Sequence, residues 1–322
     1  MPEFIEINGA KIAKGEKKQV PLNSYSLPTH NKIEIPVSVY RSLNDGPVVL
    51  LLAGMHGEEL NGIEIIRRLL IRDIFNHLRC GTVISIPVIN VISFLYGSRV
   101  LPDGKDLNRC FPGSETGSLG SSIAHDLMEK IIPQIDIGID FHTGGSSISN
   151  YPQLRCVFSD ATNIELAEKF GAPFTLNAPF RDKSLRKEAA RIGKHILVYE
   201  GGESSRWDEY SINEGVDGCL RLLNSLGMTH VTVPDNKTKI LPKTTWVRAR
   251  HSGLFYAYKK YGAFIRKDEV IGAIADPFGE VEYKIKSPAN GYIVGLNNKP
   301  MINQGDAVIH VGIDNHLHLT FE

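Results

Sequence analysis

Pro47-Val48-Val49-Leu50-Leu51-Leu52-Ala53-Gly54-Met55-His56-Gly57-Glu58-Glu59-Leu60-Asn61-Gly62-Ile63-Glu64-Ile65-Ile66-Arg67-Arg68-Leu69-Leu70-Ile71-Arg72-Asp73-Ile74 is the stretch that decides the fold. Its first seven residues form a continuous apolar run, the signature of a strand buried on both faces. From Gly62 the period changes. Ile63, Ile66, Leu69, Leu70 and Ile74 recur at near-helical spacing while Arg67, Arg68 and Arg72 fall on other faces, which predicts a helix over 62–74. Strand followed by helix is the unit of α/β sheets. His56 and Glu59 lie between the two, just outside the carboxyl end of the strand, where such sheets bind their ligands.

The alternation continues outward to about residue 230. Further strands are predicted over 83–89, 135–141 and 196–199, and helices over 121–132 and 209–226. The expected architecture is α/β, a mixed and mostly parallel sheet flanked by helices. Pro234-Asp235-Asn236-Lys237 interrupts the pattern. Beyond it the chain is rich in β-branched and aromatic residues with frequent glycines, which favours short strands. Two domains are therefore expected, a catalytic α/β domain over 1–237 and a β-rich C-terminal domain over 238–322. The tail carries an internal echo: Gly253-Leu254-Phe255 before the 265–271 run, then Gly291-Tyr292-Ile293 before the 302–308 run. This approximate repeat resembles the small barrel-sandwich domains of biotinyl and lipoyl carriers. No lysine matches the modified residue of those carriers, and Lys299 reads as a surface charge. His316 and His318 alternate in what reads as a solvent-facing terminal strand.

A chain of 322 residues has room for both units, since single cores stop growing beyond roughly 250 to 300 residues. Lys plus Arg equals Asp plus Glu, 36 of each, so no net field draws the chain to nucleic acid or anionic lipid. A small-molecule substrate fits better, and a homo-oligomer stays open. No run approaches the roughly 18 apolar residues of a membrane span, and Met1-Pro2-Glu3-Phe4-Ile5-Glu6 lacks the pattern of a secretory signal, so the cytoplasm is the expected location. Cys80, Cys110, Cys156 and Cys219 are widely spaced and read as reduced thiols.

His-x-x-Glu alone arises often by chance and needs a third ligand. Asp140-Phe141-His142-Thr143-Gly144 supplies one, because His142 ends an apolar strand and the glycines that follow let the chain turn at its rim. Two histidines and a glutamate are a hydrolytic zinc set, and three protein ligands leave a fourth position for water. Asp140, two residues earlier, shares a strand face with His142 and can orient it. Val198-Tyr199-Glu200-Gly201-Gly202 puts a carboxylate at the end of another strand, the candidate general base. Between the ligands lies a Gly- and Pro-punctuated loop over 97–113 that presents Arg99, Asn108 and Arg109. Arg109 suits a carboxylate gripped in bidentate fashion, and Arg99 suits the oxyanion that develops on an attacked carbonyl.

In this order His56-Gly57-Glu58-Glu59, Asp106-Leu107-Asn108-Arg109, Asp140-Phe141-His142-Thr143 and Glu200-Gly201 resemble the succinylglutamate desuccinylase and aspartoacylase family, of zinc carboxypeptidase-like fold, across residues 45 to 230. The resemblance implies one Zn2+ per chain on His56, Glu59 and His142, Glu200 as acid/base, Arg99 assisting the carbonyl oxygen, and Asn108 and Arg109 on the substrate carboxylate. Glu58 stands where many members carry Asn, and Asp103-Gly104 are extra relative to the short aspartoacylase pattern. The expected reaction is hydrolysis of the amide bond of a small N-acyl amino acid or related N-acylated amine. A metallocarboxypeptidase acting on peptides is the alternative, and a non-catalytic binding protein on the same fold is a third reading.

Overall fold

The computed structural model describes residues 3–26 and 29–314, so His316 and His318 lie outside the described residues. Four parallel strands form its centre, in the order Thr82–Ile86, Val48–Leu52, Ile137–Gly144 and His195–Glu203. Antiparallel strands extend the sheet on both sides. Lys32–Arg41 and Lys17–Ser26 follow Thr82–Ile86, and Ile148–Cys156 follows His195–Glu203.

Residues of the Val48–Leu52 strand are buried on both faces, as its apolar run requires. Val48, Leu50 and Leu52 join one core with the helix Leu119–Lys130, while Val49 and Leu51 join another with the helices Leu60–Ile71, Ala161–Phe170 and Glu209–Ser225. The same two-residue period sorts the functional strands. Ile139 and Phe141, like Leu197 and Tyr199, go to the second core, which turns Asp140, His142 and Glu200 to the other face. The candidate site residues therefore sit on the side away from those three helices.

The predicted helix over 62–74 forms as Leu60–Ile71, and those over 121–132 and 209–226 form as Leu119–Lys130 and Glu209–Ser225. Two ten-residue strands, Lys17–Ser26 and Lys32–Arg41, are absent from the sequence reading. They pair with Pro21 directly opposite Pro36, residues that weaken a strand reading because neither can donate to a ladder.

Past residue 237 nearly all structure is β, as expected, but it is not set apart from the main sheet. Gly291–Asn297 pairs with Ile148–Cys156, and Ala307–Ile313 and Lys243–Arg248 continue the same sheet outward. A separate four-stranded sheet contains Glu282–Lys286, Val270–Ala275, Gly253–Ala257 and Met301–Ile302. The internal echo becomes a reciprocal exchange. Phe264–Ile265 of the first half pairs with Gly291 and Tyr292 of the second, and Met301–Ile302 of the second pairs with Gly253 and Leu254 of the first. Lys299 is exposed. No helix among the described residues is long and apolar enough to cross a membrane.

Candidate metal centre and active site

The turn after Val48–Leu52 brings His56 and Glu59 to the sheet edge. Gly57 is required there, because a Cβ would lie 1.9 Å from the Ser93 carbonyl carbon. Glu59 occupies the N-cap position of Leu60–Ile71, yet its carboxylate makes no capping bond. The side chain turns to the two histidines instead. Its Oε1 lies 2.7 Å from His56 Nδ1 and its Oε2 lies 2.8 Å from His142 Nδ1, with the Thr143 N–H donating to Oε2 at 3.2 Å. Asn61, in the first turn of the helix, donates to the Gly201 carbonyl and accepts from the Asp208 N–H, tying the helix start to the chain just beyond Glu200.

Each imidazole carries a second carboxylate on its far nitrogen. Asp106 Oδ1 is 3.1 Å from His56 Nε2 and Asp140 Oδ2 is 2.9 Å from His142 Nε2. Such carboxylate–histidine pairs fix the ring and make its other nitrogen a stronger ligand. Burial works against charge on both histidines, but Glu59, Asp106 and Asp140 outweigh it, raising His56 and carrying His142 well above its ordinary value. Burial likewise works against charge on Glu59 and Asp106, and here the imidazoles prevail and hold both carboxyls well below the usual range.

One ligand atom each from His56, Glu59 and His142 falls within 4.8 Å of the others, and all three residues are buried. The donor set fits a metal ion. Two imidazole nitrogens converge on one carboxylate in a pocket of low dielectric, held from behind by two further carboxylates, so a cation can take the place of the protons shared there. Arg99 joins this corner, donating to Glu59 Oε1 at 3.0 Å and to Asp106 Oδ2 at 3.2 Å.

Glu200 stands on the neighbouring strand, with Arg155 donating to Oε1 and Asn150 Nδ2 donating to Oε2, each at 2.8 Å. A cavity of about 620 Å³ joins all seven candidate residues: His56, Glu59, His142, Glu200, Arg99, Asn108 and Arg109. Asn108 uses its side-chain oxygen to receive the Leu185 N–H, and Arg109 is exposed at the rim.

Sequence reasoning missed several further residues around the site. Asp106 sits inside the quoted Asp-Leu-Asn-Arg motif, and its acidity beside two arginines was the available signal. Asn150, Arg155, Arg186, Trp246 and His310 carried none, because separate strands and loops bring them to the cavity. Burial lowers the Arg186 guanidinium to about 10, and its NH1 has no hydrogen-bond partner.

A buried His-Glu-His trio at the carboxyl edge of a mixed α/β sheet, facing a carboxylate across an arginine-lined cavity, is the equipment of a hydrolytic enzyme. Residues 45–226 match the model of the succinylglutamate desuccinylase/aspartoacylase catalytic domain, and the chain belongs to this family of deacylases. It is 29% identical over 292 residues to the N-alpha-acetyl-L-2,4-diaminobutyric acid deacetylase of Halomonas elongata, covering 86% of this chain and 84% of that protein. A succinylglutamate desuccinylase/aspartoacylase crystal structure from Rhodobacter sphaeroides superposes with a TM-score of 0.80 at 28% identity, covering 92% of this chain and 93% of the other. The product-bound ectoine utilization protein of Ruegeria pomeroyi shares the fold at a TM-score of 0.80 and 23% identity, with the same coverage.

Proposed function

We propose that this chain is a zinc-dependent amidohydrolase that removes the acyl group from a small N-acyl amino acid or related N-acylated amine. One observation carries the reading: the His56, Glu59 and His142 donor atoms meet within 4.8 Å in the same cavity that Glu200 enters. Zinc held by these residues would supply Lewis acidity, lowering the pKa of a water toward ~7 and polarising the acyl carbonyl. Glu200 takes the proton of the attacking water and returns it to the leaving amine nitrogen. Its two hydrogen-bond donors, Asn150 and Arg155, hold the carboxylate in one orientation while each oxygen keeps a lone pair for that water. Arg99 stabilises the oxygen that gains charge during attack. Asn108 and Arg109 bind the substrate's free carboxylate.

The cavity volume suits a small ligand, and the deacetylase relative acts, by its name, on an N-acetylated diamino acid. An N-acetylated amino acid is accordingly the first substrate to test. All four cysteines are unpaired, which supports a reducing, cytoplasmic setting. The proposed division is a catalytic unit over 1–237 and a β-rich unit over 238–322 that completes the cavity with Trp246 and His310. Incubating the zinc-loaded protein with N-acetyl and N-succinyl amino acids, including N-alpha-acetyl-L-2,4-diaminobutyrate, and separately with peptides, tests the proposal. Release of free amine from the small amides is expected. Release of C-terminal residues from peptides with no turnover of the small amides would replace this reading by a carboxypeptidase.

A further inference from the structure

A single row of residues runs across the sheet from the C-terminal segment to the catalytic strand. Trp246 pairs with His310, His310 with Gly295, Gly295 with Asn150, and Asn150 with Gly202, two residues beyond Glu200. Residues opposite one another on neighbouring strands project to the same face. On this row that face is cavity wall, carrying Trp246, His310 and Asn150. The His310 ring lies flat on the Trp246 indole, 4.5 Å apart at 6°. It is an uncharged surface, because burial, aided by the nearby positive Arg155, pushes His310 down to about 3.

Gly295 breaks the row of side chains. Its φ is not among the positive values that call for glycine, so its backbone suits any residue. Space is what excludes a side chain. A Cβ at 295 would lie 2.8 Å from Asn150 Oδ1 and 3.3 Å from His310 Cβ. The Asn150 amide occupies the gap over Gly295, with Oδ1 buried and unpartnered and Nδ2 donating to Glu200 Oε2. No hydrogen bond on its oxygen fixes this amide. Its orientation is set by the bond to Glu200 and by the room Gly295 leaves.

We propose that Asn150 and Gly295 are positioning residues for Glu200, so that the C-terminal β segment, through the gap over Gly295, holds the carboxylate that moves the proton. The inference rests on the role given to Glu200 above. Oε1 of Glu200 has Arg155 and Oε2 has Asn150, so loss of the amide leaves one oxygen without its donor and lets the carboxylate turn about the other.

The test uses the full-length, zinc-loaded protein as Gly295→Ala, Asn150→Ala and the double variant, with metal content and thermal unfolding measured on each. With N-alpha-acetyl-L-2,4-diaminobutyrate, or whichever small amide is turned over, each single change should lower kcat by about ten- to a hundredfold, the cost of misplacing a catalytic group by about 1 Å. KM should stay within about threefold and metal content should not change. In the Asn150→Ala background the added methyl group meets no amide, so the double variant should match Asn150→Ala within about twofold. Losses that multiply, or an unchanged kcat in either single variant, would overturn the proposal. A crystal structure of Gly295→Ala reads the same point without activity. The distance from Asn150 Nδ2 to Glu200 Oε2 should exceed the hydrogen-bond limit of about 3.5 Å, and an intact bond sinks the idea. Should Glu200→Gln keep full activity, the proton-transfer role fails while this structural arm still gives its answer.

Discussion

Two parts of one cavity differ in how fully their buried polar groups are paired. Around His56, Glu59 and His142 every nitrogen of both rings and both oxygens of Glu59 have partners, and positive and negative groups alternate. Along the wall built from Ile148–Cys156, Leu185–Arg191 and Ala307–Ile313, more buried polar atoms lack a partner: Asn150 Oδ1, Arg186 NH1 and His310 Nδ1. Each unsatisfied group costs about 1–3 kcal/mol. The first region leaves one such atom, Asp140 Oδ1, and a cation can replace the protons shared between its rings and Glu59. The second leaves three, all on side chains that line the cavity.

The largest expected effect breaks the His-Glu-His corner. His142→Ala should take metal content from about one ion per chain to near zero and reduce turnover to background, as read by elemental analysis and amine release. Full metal occupancy in that variant would remove His142 from the ligand set. Next comes Glu200, the proposed proton carrier, which sits between the two regions. Glu200→Gln should lower kcat by about 10²- to 10⁴-fold with metal retained, and wild-type turnover would take Glu200 out of the mechanism. A smaller change separates ligand from support. Asp106→Asn leaves the trio intact but weakens the grip on His56 Nε2, so metal affinity in chelator competition should fall about 10- to 100-fold. No change in affinity would make Asp106 a bystander.

The smallest effect is thermal and concerns the metal-free protein. His56 and His142 titrate above their ordinary value in the folded chain, so the stability they contribute is complete below about pH 6.5 and fades as pH rises through their folded pKa. Glu59 and Asp106 titrate below theirs, so their contribution is present above about pH 4 and is lost only in strong acid. Metal-free protein should therefore unfold a few degrees lower at pH 9 than at pH 6. Metal-loaded protein should show the reverse trend, because protons compete for the same nitrogens. Calorimetry of both forms at the two pH values checks the sign, and parallel trends would show that the corner does not exchange protons for metal.

The His-Glu-His corner was the legible part of the sequence because its residues lie at ends of elements whose periodicity is strong. An apolar run of seven followed by helical spacing puts His56 and Glu59 at a junction, and period-two alternation puts Asp140 and His142 on one face. The helix starts at Leu60, two residues before the apolar pattern suggests, because the pattern reports only the buried stripe. It ends at Ile71, short of Ile74, where Asp73 takes a left-handed φ of 57° and a 3-10 turn follows. The open wall was illegible for a different reason. Trp246 and His310 are ordinary strand residues, and they reach the cavity only because the C-terminal strands hydrogen-bond to Ile148–Cys156.

Local periodicity, then, was enough to give the α/β core, and with the order of the motifs it gave the candidates His56, Glu59, His142 and Glu200, since each side chain's direction is set within one short element. Tertiary structure alone decided that Asp106 backs His56, that Arg155 and Asn150 hold Glu200, and that a glycine in the β-rich tail leaves room for the Asn150 amide. Those contacts join residues roughly 45 to 150 positions apart. Strand register sets them, and register is a property of the assembled sheet that no single stretch of chain contains.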